Sequence, residues 1–492
     1  MDSPVSVVAV VAVTVATIVI GALGVRVART TSDFFVASRS VGPMWNASAI
    51  SGEYLSAASF LGVAGLVMKY GTDMLWYPVG YATGYLVLLL LVAAPLRRFG
   101  AYTIPDFAEG RLDSLIVRRL ATAFVLLIGW FYLLPQMKGA GVTLRAIVGT
   151  PYWVGVVVVG VVITANVALG GMKGITFVQA FQYWLKVTAI SLPALVLLGH
   201  WHNDDPPKLT RPAPPTFLSE TTVDVEVDAT FVVTETTEVV VQGTLDGHRR
   251  PGVTVVELTA GRHRVTEGTR ITFPAGTAAP HEVGLPLSDG ASWSQPFGPI
   301  GDQQSHPLFF TYSLMLATFL GTMGLPHILV RFYTNPDGRA ARQTTLIVLV
   351  LLGGFYIFPA VYGALGRIYA PELYLTGATD TVVLALPGRV VGGFAGDLLS
   401  GLVAAGAFAA FLSTASGLLI SVAGALAQDV AWPPRPAGRA RGTMVDFRRA
   451  AAVAGAVAIV LGLQVERFDI NVLVGWAFAI AASSFCPLLI LG

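Results

Sequence analysis

Eleven long apolar stretches leave this chain few choices of fold. A helix needs about 20 apolar residues to cross the hydrocarbon core of a bilayer. Stretches of that order lie near 4–27, 44–69, 73–96, 119–146, 151–171, 175–199, 307–331, 343–367, 391–427, 447–465 and 470–491. The pattern predicts an all-α polytopic membrane protein, with the lipid bilayer as its first partner. Charged residues make up only 12% of the chain, against about 25% in soluble domains. The formal net charge of +2 gives no basic surplus that would point to nucleic acid. Cys486 is the single cysteine, which excludes an internal disulfide framework and a cysteine-based metal cluster. Residues 4–27 read as a first span rather than a signal peptide, because Asp2 precedes the apolar run and basic residues follow it. No P-loop, His/Cys metal cluster or nucleophile elbow occurs, so neither an enzyme nor ATP-driven transport by this chain alone is expected.

Lysine and arginine alternate between loops. Arg26, Arg29 and Arg39 follow the first span; Arg97, Arg98, Arg111, Arg118 and Arg119 the third; Lys173 the fifth. Arg331, Arg339 and Arg342 follow the seventh, and Arg435, Arg439, Arg441, Arg448 and Arg449 the ninth. The loops between hold few. The positive-inside rule then puts the N-terminus outside and the odd-numbered loops in the cytoplasm, as in a multi-pass plasma (inner) membrane protein. Residues 200–306 are polar, and VDVEVDATFVVTETTEVVVQGTL alternates valine with polar residues as strands do. DG at 246–247, PG at 251–252 and AG at 260–261 read as turns. A small β-rich extracellular insert is expected there. Without it and the first span, ten helices remain. An odd number per half inverts the second half relative to the first, the arithmetic of an inverted-repeat transporter. The expected organisation is an N-terminal helix and loop at 1–43, a first repeat at 44–199, the insert at 200–306 and a second repeat at 307–492.

The first helix of each half is interrupted. SGEYLSAASFLG, residues 51–62, puts Glu53, Gly52 and Gly62 into an apolar run. FLGTMGLPHIL, residues 319–329, brings Gly321, Gly324 and Pro326 close together. Glycine and proline weaken a helical ladder. In lipid a broken ladder survives only where protein buries the freed groups or they line a cavity. Two breaks in corresponding positions point to a binding site near the midplane; each alone also reads as a packing glycine or a proline kink. FAAFLSTASG, residues 408–417, carries the adjacent hydroxyls of Ser413 and Thr414. Alone these read as helix-packing groups. Across from a broken helix they read as neutral oxygens for a small hard cation.

Four stretches extend this pattern to a family: DFFVASRSVGPMWNASAISGEYLSAASFLG, RRFGAYTIPDFAEGRL, GTMGLPHILVRFYT and GWAFAIAASSFCPLLI. With them the chain resembles the solute:sodium symporter family, especially its acetate and monocarboxylate permeases. The resemblance spans residues 33–492 apart from the insert. It implies a five-plus-five inverted-repeat (LeuT-like) core with one extra N-terminal helix, and sodium-coupled uptake of a small carboxylate. It also maps the family's sodium site onto the carbonyls of Gly52, Leu55 and Ala410 and the hydroxyls of Ser413 and Thr414, with Ser56 beside them. Gln179 stands where some relatives carry an acid for a second sodium, which argues for one sodium per cycle. Ser59 matches a sugar-contacting position of sugar-carrying relatives, where a serine suits a smaller solute. Family members usually continue for two or more helices past the point where this chain stops, at Gly492.

Phe60, Gln136, Thr322, Met323 and Trp476 complete the expected substrate lining, each with a plain packing role as the alternative. Glu53 is read as a functional acid that tunes the cation site, binds a proton or caps the broken backbone. Lys138 is read as a partner of Glu53, an attractor for the substrate carboxylate, a built-in cation favouring protons over sodium, or a snorkelling surface lysine. His327 is either a proton carrier or a hydrogen-bonded structural residue, and Arg331 a cytoplasmic anchor. Two other functions stay open: a proton-coupled monocarboxylate symporter, and a transporter-like solute sensor.

Overall fold

The computed structural model describes residues 4–27, 31–204, 207–211, 213–225, 227–285, 287–430, 443–468 and 470–491. Asp2, Arg29, Arg435, Arg439, Arg441 and Gly492, used above, lie outside the described residues, as does the side chain of Arg26. Among the described residues eight helices are long and apolar enough to cross a membrane, and a bent pair makes a ninth. Two further expected spans appear in other forms. Helix Tyr152–Asn203 has 52 residues, about 78 Å at 1.5 Å per residue, far more than one crossing needs. It is broken at Gly171, whose φ of 56° and ψ of −165° suit only glycine, and the two sides of that break are the expected fifth and sixth spans. The expected tenth span is the helix Met444–Gly462, whose first turns carry Asp446, Arg448 and Arg449.

Helix Gly393–Asp429 forms the axis of the bundle. Its most apolar window is wholly buried, as expected of a helix that is apolar on all sides. It packs against Pro4–Val27, Leu115–Val148, Tyr152–Asn203 and Met444–Gly462. Small residues allow the close approach: at Gly406 an added Cβ would run into Ala189 and Phe60.

The polar segment folds as one antiparallel seven-stranded sheet: β1 (Thr221–Asp224), β2 (Ala229–Val233), β3 (Thr237–Leu245), β4 (His248–Leu258), β5 (Gly261–Val265), β6 (Arg270–Phe273) and β7 (His281–Glu282). The strand order is β1-β6-β3-β5-β2-β7, with β4 paired to β3. Asp246 and Gly247 both have positive φ, 51° and 77°, as a two-residue hairpin turn requires. Pro251-Gly252 does not turn, contrary to the expectation; it lies inside β4, where the register shifts between Val241 and Gly243. A proline lacks the ladder N–H and is tolerated at a bulge of an edge strand. The sheet seats Leu375 of the helical body in its apolar core, and Trp293 Nε1 donates to the carbonyls of Val67 and Met68 at 3.0 and 3.1 Å.

The sheet carries its own titrating pair. His263 Nδ1 meets Asp246 Oδ2 at 2.7 Å and Nε2 meets the Thr259 carbonyl at 2.8 Å. Both partners accept, so the arrangement favours the doubly protonated imidazolium. Burial alone lowers the His263 pKa, but these two hydrogen bonds and the Asp246 charge outweigh it and raise the pKa above the ordinary histidine value. A raised pKa gives stability that is complete below the unfolded value, about 6.5, and is lost as pH rises through the folded value. Protection factors of the β3 and β5 amides in the full-length protein, which remove the intrinsic base-catalysed rise of exchange with pH, are therefore expected to fall above neutral pH. In His263→Phe that pH dependence should vanish.

Candidate functional site

The first interrupted helix breaks where its sequence suggests. Pro43–Tyr54 and Ala58–Tyr70 meet at a bend of 69°, and Leu55 leaves the helix with φ −72° and ψ 85°. The freed backbone groups all need partners in a dry interior. Gln136 Oε1 accepts from the Ala57 N–H at 2.9 Å, and its Nε2 donates to the Tyr132 carbonyl at 3.3 Å. Tyr132 Oη donates to Ser56 Oγ at 3.4 Å. Thr414 Oγ1 donates to the Glu53 carbonyl at 2.5 Å, and Ser413 Oγ lies 2.7 Å from the Gly52 carbonyl and 3.1 Å from that of Ala410. Thus Gly52, Ala410 and Ser413, three of the positions assigned to a cation by resemblance, meet at the contact between the broken helix and the central one, and Thr414 bonds the Glu53 carbonyl beside them.

Their centre holds a residue that sequence reasoning missed. Lys186, fully buried on helix Tyr152–Asn203, donates from Nζ to the Gly52 carbonyl, to the Leu55 carbonyl at 2.8 Å and to Ser413 Oγ at 2.7 Å. An ammonium has three donors and no acceptor, and here three acceptors meet it. The built-in cation considered at Lys138 has its geometry at Lys186 instead. Lys138 donates to the Phe468 carbonyl and does not partner Glu53. A signal was available: Lys186 lies seven residues from Gln179, two turns along the same helix face, and a charge in an apolar span is a functional flag in itself.

Arg331 corrects a second expectation. It is no cytoplasmic anchor but a buried side chain only 1% exposed. The short helix Pro326–Phe332, which starts after the break at Leu325, carries it into the core. Its Nε lies 2.6 Å from Glu53 Oε2, its Nη1 donates to Thr176 Oγ1 at 2.9 Å, and its Nη2 donates to Gln179 Oε1. A buried carboxylate and a buried guanidinium each require the other, which is why Glu53 and Arg331 meet across the two broken helices. Gln179 Nε2 in turn donates to the Ser413 carbonyl at 2.8 Å. One hydrogen-bonded network therefore joins the ion pair to the oxygens around Lys186.

The expected substrate residues divide. Ser59 Oγ pairs with Tyr356 Oη at 2.9 Å, and Thr322 Oγ1 with Tyr54 Oη at 2.7 Å. Phe60 packs against Phe355 with ring centroids 6.1 Å apart, and Met323 is fully buried. Trp476 stands apart: it is 43% exposed and packs edge-on to Phe131 and Phe468. Two residues on, Phe478 faces inward and meets Tyr81 and Tyr132 with centroids 5.1 and 5.7 Å away. His327 is buried edge-on to Tyr132, and among the described residues neither of its ring nitrogens finds a hydrogen-bond partner.

Comparison with known proteins adds three findings. The family model described as "Sodium:solute symporter family" matches residues 34–199 and 291–492. A relative from Bacillus subtilis (strain 168), the uncharacterized symporter YwcA, is 29% identical over 476 residues, covering 96% of this chain and 78% of the relative. A solved structure of a Na+-coupled sialic acid symporter, substrate-bound and outward-open, superposes with a TM-score of 0.65 over 99% of this chain and 87% of that one. At 12% identity this last likeness is one of fold.

Proposed function

Because the chain belongs to the sodium:solute symporter family, we propose that it takes up a short monocarboxylate such as acetate, driven by sodium and operating by alternating access. It is a membrane transporter and not an enzyme, and its coupling ion is sodium. The observation that carries the reading is the meeting of the Gly52 and Leu55 carbonyls with the Ser413 hydroxyl on one cationic centre between two helices. Oxygens of this kind suit a small hard cation. They belong to helices that rocking of one bundle against the other would separate, so the ion and the closed arrangement favour each other.

A small solute suits the side chains beside the break. Tyr54, Tyr81, Tyr356 and Phe478 crowd there, and Ser59 and Thr322 offer only short hydroxyls already shared with tyrosines. In this reading residues 44–199 and 307–492 form two inverted repeats, and the N-terminus and the β-sheet face outward. Labelled acetate uptake into proteoliposomes tests it, with an inward sodium gradient and equal pH on both sides. Concentrative uptake that ends when choline replaces sodium is the expected result. Uptake driven equally well by an imposed pH gradient without sodium would overturn the coupling, and no uptake by folded protein would overturn the solute. In the same assay Thr414→Ala, which leaves the Glu53 carbonyl without its donor, is expected to raise the half-saturating sodium concentration at unchanged expression.

A further inference from the structure

We infer that Lys186 is an intramolecular competitor of the coupling sodium: its ammonium and the ion take turns in one oxygen cage, and sodium enters only when the amine withdraws. The inference rests on the assignment of the cation site under the proposed function and adds a residue that the assignment does not contain. Three observations carry it. The Lys186 ammonium is bonded to Gly52, Leu55 and Ser413, three of the five oxygen-bearing positions that the ion would use. Lys186 is fully buried, so water does not screen a second cation brought up beside it; like charges a few ångströms apart in such a medium repel strongly. Finally, Glu53, the acid of this network, already has Arg331 as its ion-pair partner, so sodium beside a charged Lys186 would set a third cation against one carboxylate.

The movement the inference requires is a rotation about the four methylenes of Lys186, whose helix contacts both the central helix and the broken one. Sodium affinity is then set by the difference between two occupants rather than by the oxygens alone. The apparent affinity of an ion for a site that is free only part of the time falls by that fraction.

The test is equilibrium binding with purified full-length protein, read as stabilisation against thermal unfolding by added NaCl at constant ionic strength with choline chloride. Lys186→Gln keeps donors for the two carbonyls and removes the charge. It is expected to lower the half-saturating sodium concentration at least tenfold, whereas Lys186→Arg, which keeps the charge, should not. Lys186→Ala opens the cage to a free ion, so methylammonium should stabilise it and compete with sodium. If Lys186→Gln does not fold, the methylammonium competition in Lys186→Ala decides the same point. Unchanged or weaker sodium binding in folded Lys186→Gln, or methylammonium without effect on sodium binding in Lys186→Ala, would overturn the inference. Failure of the site itself gives a different result: Thr414→Ala would then leave sodium binding unaltered in the Lys186→Gln background as well.

Discussion

Arg331→Ala is expected to destabilise the folded protein by about 3–5 kcal/mol, the cost of leaving one member of a buried ion pair without its partner. Both side chains are about 1% exposed, so solvent screening does not soften the loss. The damage should spread further than the carboxylate. Arg331 also bonds Thr176 and Gln179, and Gln179 holds the Ser413 carbonyl. Reversible unfolding in mixed micelles measures the effect. A loss under about 1 kcal/mol, the size typical of exposed pairs, would mean that Glu53 and Arg331 are solvated. The double variant Glu53→Leu/Arg331→Leu separates charge from packing. Replacing a buried pair by apolar residues of similar size is often neutral or better, so this variant should recover much of the lost stability. It should not recover uptake if the pair also fixes how the two broken helices meet.

Gly52→Ala should be the second large effect, from a single methyl group. A Cβ there would collide with the backbone carbonyl oxygen of Gln179 and lie 3.3 Å from Tyr183 Cβ. Backbone cannot rotate aside as a side chain can, so the broken helix must move away from helix Tyr152–Asn203. Overpacking of this kind costs about 1–3 kcal/mol. The functional cost should exceed the thermal one, because Gly52 and Lys186 sit on the two helices being forced apart. Stabilisation by sodium is expected to disappear while the variant still folds. Gly417→Ala provides a comparison: there the added methyl meets the Glu53 side chain, which Arg331 holds in place, so the ion pair rather than the cage takes the strain.

Much of the candidate site is legible in the sequence. Broken helices announce themselves because glycine, proline and serine in an apolar span leave backbone groups that must find partners. Gln136, which the sequence assigns to a substrate lining, lies at the break as the acceptor for the Ala57 N–H. What sequence could not supply was the partner of each charge. Lys138 and Lys186 are both lysines in apolar helices, yet one reaches the Phe468 carbonyl and the other three oxygens of a buried cage. Arg331 follows the loop arithmetic of an anchor, but a proline five residues earlier starts a separate short helix that carries it inward. Trp476 and Phe478 differ by two positions, which is about 200° around a helix, so one faces outward and the other the core.

By itself the sequence determined that this chain spans a bilayer, where its helices run and where two of them break. Those outcomes follow from local chemistry: hydrocarbon admits no unpaired backbone, and apolar length and helix breakers are written residue by residue. Only the tertiary structure decided that Glu53 belongs to Arg331 and that Lys186 fills the oxygen cage. A buried charge is stabilised by whichever opposite charge or acceptor comes within about 3 Å. That distance is set by how helices far apart in sequence cross, and helical periodicity records the face of a residue but not its neighbour.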